Sequence, residues 1–180
     1  MMRMADRVVV DASVAIAYML DEVGTPFARA AVAQWTASSD ELLVPSHFWI
    51  EVTHAVLGRR RLPPDEVVGY LVELDRLGVR TIEVDRPLLL LAIDQMVRSG
   101  LSAYDAIYLS LALSTDARLA TLDRRLAEAA GDAGILIGPT GIAEPRARYG
   151  PGRETYSGWT HSAIVGAHIA ELRRKALAEA

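Results

Sequence analysis

Five short strand-forming runs, separated by segments of helical spacing, limit what this chain can fold into. The runs lie at 7–10 (RVVV), 42–44, 80–84, 117–121 and 135–137. Helices are expected between them. One covers 14–20, and a second runs from Thr25 as cap, with Pro26 at the first helical position, to about Ser38. A third starts at Pro45-Ser46 and ends in the arginine run 59–61, and a fourth begins at Pro63-Pro64-Asp65 and stops near Gly78. The rest span 87–99, the stretch after Ser102 and the stretch from Asp123 to Ala130. Strands that alternate with helices run parallel, with helices on both faces of the sheet. The expected fold class is therefore α/β, three layers about a short, mainly parallel central sheet.

Length and composition narrow this further. A chain of 180 residues, 51% of them apolar, is long enough for one well-buried domain and too apolar for a disordered segment. It has no cysteine, which excludes disulfides and thiolate metal sites. No apolar run approaches a membrane span and no signal peptide opens the chain, so a soluble cytoplasmic protein is expected. Neither GxGxxG nor GxxxxGK[ST] occurs, which argues against a nucleotide-phosphate loop. The character changes at Gly138. The stretch 138–158 is rich in Gly, Pro, Arg and Tyr and reads as an extended connector, and 160–179 reads as a terminal helix with Ile164, Ala167, His168, Leu172 and Ala176 on one face. Two regions are expected, a domain at 1–138 and an extension at 139–180. The first carries 13 basic and 19 acidic side chains, the second six and four.

Four acids stand in apolar settings. Asp105 lies in LSAYDAIYL (101–109), where Leu101, Asp105, Tyr108, Leu109 and Ala112 fall on or near one helical stripe. A carboxylate there must be solvated, paired or bound to a cation, because burying a bare charge is costly. A local role is also open: Ser102-x-x-Asp105 matches a capping box, with the acid serving a backbone N–H. The two roles are compatible. Asp11 follows VVV directly and Asp123 comes two residues after LAT. Both project beyond the carboxyl ends of parallel strands, where ligands bind in open α/β sheets. Each also suits a turn or N-cap aspartate. Glu51 has Phe48, Val52 and Ala55 three or four positions away or beside it on a helix, and its head either joins the same edge or reaches water. Several carboxylates brought together cannot all stay ionised without a cation. A set made only of oxygen ligands favours Mg²⁺ or Mn²⁺ over zinc.

The stretches VVVDASVAIAYML, PSHFWIEVTHAVL, LSAYDAIYLSLA and ARLATLDRRL occur in that order over about residues 7–137. Together they resemble the PIN-domain ribonucleases, and most closely the VapC toxins of bacterial toxin–antitoxin pairs. The resemblance implies a PIN-like fold and carries over Asp11, Glu51, Asp105 and Asp123 as an acidic catalytic site. Asp11, Asp105 and Asp123 would hold the metal, with Ser13 and Thr121 as supporting hydroxyls. It implies a Mg²⁺- or Mn²⁺-dependent endoribonuclease acting on tRNA, rRNA or mRNA, a homodimer, and a VapB-like antitoxin whose tail covers the acids. The extension after 138 departs from the family pattern, and the resemblance implies nothing about it.

RNA needs positive contacts near an acidic centre. Arg59, Arg60 and Arg61 close the helix carrying Glu51, and Arg124 and Arg125 follow Asp123; these are expected to hold phosphates. A solvated helix end, favoured by the dipole, is the other reading of the arginine triple. His161 and His168 stand seven apart but lack a third ligand, so no metal role is expected of them. Trp35 and Trp49 are expected in the core, and Trp159 at an interface. A different class of function is a catalytically inactive PIN-like module that binds RNA or protein and keeps the acids for structure. The full set of four acids favours the enzyme. A phospho-receiver fits worse, since it needs a lysine late in the domain and the only one is Lys175.

Overall fold

The computed structural model describes residues 6–21, 23–59 and 61–138, the side chain of Arg59 excepted. They belong to one compact unit that ends at Gly138. The expected connector and terminal helix, with His161, His168 and Trp159, lie outside the described residues. The strands are β1 (Arg7–Val10), β2 (Glu41–Pro45), β3 (Arg80–Ile82), β4 (Arg118–Thr121) and β5 (Gly134–Leu136). The helices are α1 (Ala12–Met19), α2 (Thr25–Ser38), α3 (Phe48–His54), α4 (Pro64–Arg76), α5 (Arg86–Ser99), α6 (Ala103–Thr115) and α7 (Arg124–Ala130). A π-helical turn, Ala55–Arg59, extends α3.

The five strands form one sheet in the order β3-β2-β1-β4-β5, and every pairing is parallel. Val9 lies opposite Leu43 on one side and Leu119 on the other. The central strands are continuous apolar runs, as a strand covered on both faces requires. Val8 to Val10, Leu42 to Val44 and Leu119 to Thr121 are all buried.

Strand order decides where a site can form. The chain steps outward from β1 through β2 to β3, then returns to lay β4 on the other side of β1. Right-handed crossovers, the nearly universal hand, then place α1 to α4 on one face and α5 to α7 on the other. The packing agrees: α1 meets α2 and α3, while α6 meets α5 and α7. The winding reverses between β1 and β4, and a crevice opens beyond the carboxyl ends of strands at such a point.

Several local expectations shift. Pro45 closes β2 rather than opening a helix, and α3 starts at Phe48. Ser46 instead donates its N–H to Ile82 O (2.8 Å), carrying the ladder one rung further. β3 ends at Ile82 rather than 84, and the N–H of Val84 turns to the Ser46 hydroxyl (3.2 Å). Thr25 lies inside α2, where its hydroxyl donates to Leu20 O instead of capping the helix. Trp35 is buried as expected; Trp49 is half-buried, with its indole N–H on Thr81 Oγ1 (2.9 Å). Among the described residues no helix is long and apolar enough to cross a membrane.

Candidate functional site

At the end of β1, the Asp11 N–H donates to Ala120 O (2.9 Å), a last rung against β4, and the chain turns directly into α1. The Asp11 side chain is left at the switch point, only 8% exposed. Its Oδ2 accepts from the hydroxyls of Ser13 and Thr121, the latter at 2.8 Å. Thr121, wholly buried at the end of β4, also accepts the Asp123 N–H at Oγ1 (2.9 Å). Ser13 Oγ accepts the Leu122 N–H (3.1 Å). Two hydroxyls thus tie the ends of β1 and β4 together and fix the spacing between Asp11 and Asp123. Burial pushes the Asp11 carboxyl above the usual aspartate range. The Ser13 and Thr121 bonds oppose this, and the Asp105 charge adds to it.

Asp123 is the N-cap of α7, accepting at Oδ1 from Arg125 N (2.7 Å) and Leu126 N (3.2 Å). The capping role open to it from sequence is therefore present. Asp105 shows the matching pattern at the start of α6. Ser102 Oγ accepts the Asp105 N–H (3.2 Å) and donates to Asp105 Oδ2 (2.7 Å). Burial raises the Asp105 carboxyl, the Ser102 bond opposes the rise and the Asp123 charge reinforces it. Glu51, on α3, accepts the Tyr108 hydroxyl at Oε2 (2.6 Å). This bond joins a helix of one layer to a helix of the other. Burial pushes Glu51 up to about 7; the Tyr108 bond lowers it, and the charges of Asp11 and Asp105 add to the rise. The Tyr108 phenol is raised by burial and by the charges of Asp11 and Glu51, so it remains a proton donor.

Charge effects link the four segments: Asp105 raises Asp11, Asp11 and Asp105 raise Glu51, and the Asp123 charge raises Asp105. Among the described residues no Arg or Lys side chain pairs with Asp11, Asp105 or Asp123, although the charge of Arg125 acts on Asp105. Among the described residues, no three acidic or imidazole groups stand together as a ready-made ligand set. Each acid is instead committed to a local donor: hydroxyls for Asp11, Glu51 and Asp105, helix N–H groups for Asp123. Mutual repulsion favours that separation, and a shared cation would oppose it. The donors are hard carboxylate oxygens with no thiolate or imidazole among them, a chemistry that suits Mg²⁺ or Mn²⁺.

The arginines divide. Arg125 donates from Nη2 to the carbonyls of Gly100 and Ser99, so it latches the turn between α5 and α6 just ahead of Ser102. That bond serves structure and uses one nitrogen of an exposed guanidinium, for which a phosphate contact is expected from sequence. Arg124 and Arg61 are exposed. Arg60 and the side chain of Arg59 lie outside the described residues. Two neighbours of the acids were not anticipated. Tyr108 stands three residues after Asp105, a spacing that shares a helical face, but it reads as an ordinary core aromatic. His47 stands four before Glu51, with Nε2 3.6 Å from Glu51 Oε2 and both ring nitrogens buried without a hydrogen-bond partner. Burial holds it neutral, down at about 4.

Comparison with known proteins gives three findings. The profile of the PIN domain matches residues 8–132. Among solved structures, the chain is similar to VapC20 of Mycobacterium tuberculosis, described as a Sarcin-Ricin loop cleaving toxin, with a TM-score of 0.57 and 19% identity over 73% of this chain and 99% of that one. It is also similar to PAE2754 from Pyrobaculum aerophilum, with a TM-score of 0.55 and 25% identity over 74% of this chain and 92% of that one. The likeness to VapC20, at that identity, is one of fold. No match was found among curated proteins.

Proposed function

The chain belongs to the PIN domain family, and on that premise we propose that it is a metal-dependent endoribonuclease whose site is built from Asp11, Glu51, Asp105 and Asp123. The observation that carries the reading is the hydroxyl bridge at the switch point of the sheet, where Ser13 and Thr121 hold the Asp11 carboxylate and Thr121 also takes the Asp123 N–H, with Glu51 bonded to Tyr108 three residues after Asp105. Asp11, Asp105 and Asp123 would hold Mg²⁺ or Mn²⁺, with Ser13 and Thr121 fixing the Asp11 carboxylate. Bound there, the ion supplies Lewis-acid polarisation of a phosphodiester oxygen and a bound water of lowered pKa.

The residues of the chain do the rest. Glu51, raised to about 7, is near the pH at which a general base works best. Tyr108 occupies its Oε2, which leaves Oε1 to take the proton of the attacking water. The water oxygen bonds to phosphorus as its proton passes to Glu51, the P–O3′ bond breaks with its electron pair on O3′, O3′ takes a proton from solvent, and the products are a 5′-phosphate and a 3′-hydroxyl. The described toxin among the similar structures cleaves the Sarcin-Ricin loop. We extend to this chain a toxin role on structured RNA (rRNA, tRNA or mRNA) in the cytoplasm, as a homodimer neutralised by a VapB-like antitoxin.

The test is cleavage of a mixed tRNA and rRNA pool by the full chain with added Mg²⁺ or Mn²⁺. Cleavage should stop in excess EDTA and in Asp11→Asn or Asp105→Asn, with the fold intact by circular dichroism. Activity that survives either treatment removes the metal mechanism. One observation favours a second reading, a non-catalytic binding module: every acid already has a local structural partner. RNA binding without cleavage, unaffected by Asp11→Asn, would select it.

A further inference from the structure

Tyr104, next to Asp105 in the first turn of α6, keeps most of its surface in solvent. It is 58% exposed, whereas Tyr108, one turn later on α6, is 1% exposed. Behind it stands His47. The imidazole centroid lies 5.5 Å from the Tyr104 ring and 4.9 Å from the Tyr108 ring. Its Nε2 is 3.6 Å from Glu51 Oε2. A single imidazole therefore separates an open aromatic face from a carboxylate of the site. That imidazole makes no hydrogen bond from either buried nitrogen among the described residues, so ring contacts hold it in place. Orphaned buried nitrogens are a standing cost, here accepted for an aromatic brace under an exposed ring.

The acids also limit how RNA can be held beside them. A phosphate beside these carboxylates is repelled unless cations offset it, and Arg125, the arginine whose charge acts on Asp105, already gives its Nη2 to backbone carbonyls. Stacking needs no charge, and single-stranded RNA offers unstacked bases to aromatic side chains. We propose that the outer face of Tyr104, braced by His47, is a stacking platform for one unpaired nucleobase next to the scissile phosphate. This rests on the nuclease reading above and adds to it a substrate requirement: the nucleotide beside the cut must be unpaired, because a base in a duplex has both faces covered.

The test uses the full chain and 12-nucleotide single-stranded RNAs that carry 2-aminopurine at successive positions. In the Asp11→Asn background, binding should quench the fluorophore at one position. Adding Tyr104→Leu, which keeps apolar bulk without a flat face, should abolish the quench and weaken binding roughly tenfold, within the range for stacking on an aromatic. Tyr104→Trp should preserve both. In the cleaving chain, Tyr104→Leu should raise KM by about tenfold with kcat within about twofold. If the wild type cleaves and Tyr104→Leu matches it, the platform is wrong and the nuclease reading stands. If quench and affinity follow Tyr104 but no chain cleaves, base stacking on Tyr104 stands, and the nuclease reading falls together with the placement beside a scissile phosphate. A chain that neither cleaves nor binds overturns both. A Tyr104→Leu variant that binds RNA normally but changes mass in sedimentation marks a protein contact and overturns the platform.

Discussion

Replacing Glu51 by Gln should stabilise the metal-free protein at pH 8 and leave it nearly unchanged at pH 4. Gln keeps the size of the side chain and an oxygen to accept the Tyr108 hydroxyl, and it removes the charge. In the wild type, burial and the neighbouring carboxylates hold Glu51 at about 7, against 4.5 in an unfolded chain. A raised carboxyl contributes stability that is complete below pH 4.5, where both states carry the proton. Stability then falls as the pH rises towards 7, because the unfolded chain releases its proton first, and the loss is complete above 7. At ~1.4 kcal/mol per tenfold change, the gap corresponds to an upper bound of ~3.5 kcal/mol. The side chain is 31% exposed, so solvent screening brings this to about 1–2 kcal/mol. For a domain of this size that is about 3–6 °C in Tm. The assay is thermal unfolding in EDTA, followed by circular dichroism at both pH values. No gain at pH 8, or an equal gain at pH 4, would refute the idea that Glu51 is held against its neighbours' charge.

Three further outcomes follow from the same geometry. Tyr108→Phe removes the 2.6 Å donor to Glu51; it should cost about 1.5–3 kcal/mol at pH 8, where the acceptor is charged, and less at pH 4. It should also move the acidic limb of the cleavage profile to higher pH, and an unmoved limb would detach Tyr108 from the chemistry. Arg125→Ala releases the carbonyls of Ser99 and Gly100 and should lower stability by about 1 kcal/mol, while the salt dependence of RNA binding stays the same. A shallower salt slope would mean that Arg125 holds phosphate after all. Gly134→Ala would set a Cβ inside contact distance of the Ala127 carbonyl oxygen, where β5 packs under α7. A loss of more than about 2 kcal/mol in denaturant unfolding is expected, and a neutral result would mean that β5 shifts freely.

The parts of the molecule that were legible in the sequence are those where burial alone sets the pattern. VVV, LLV and LAT are continuous apolar runs because their strands are covered on both faces. Asp11 and Asp123 stand out because each interrupts such a run at its carboxyl end. What stayed hidden depends on where a polar tip reaches. Tyr108 counts as core by spacing, yet its hydroxyl crosses to Glu51, 57 residues away. The bond from Arg125 to Gly100 is hidden because no spacing rule relates the two residues. Pro45-Ser46 resembles a helix start, but Pro45 sits at the very end of β2, where a missing N–H is tolerated. Nothing in AVLGR marks the π-helical turn at Ala55–Arg59.

The central claim is that acids distant in sequence share one divalent ion. It is tested most directly by calorimetric titration of Mn²⁺ into the wild type, Asp11→Asn, Asp105→Asn and a control, Asp94→Asn, whose carboxylate pairs with Arg98 on α5. The expected result is binding by the wild type and the control, weakened roughly tenfold or more in each site variant. Equal affinity in all four proteins, or no binding by the wild type, would contradict it.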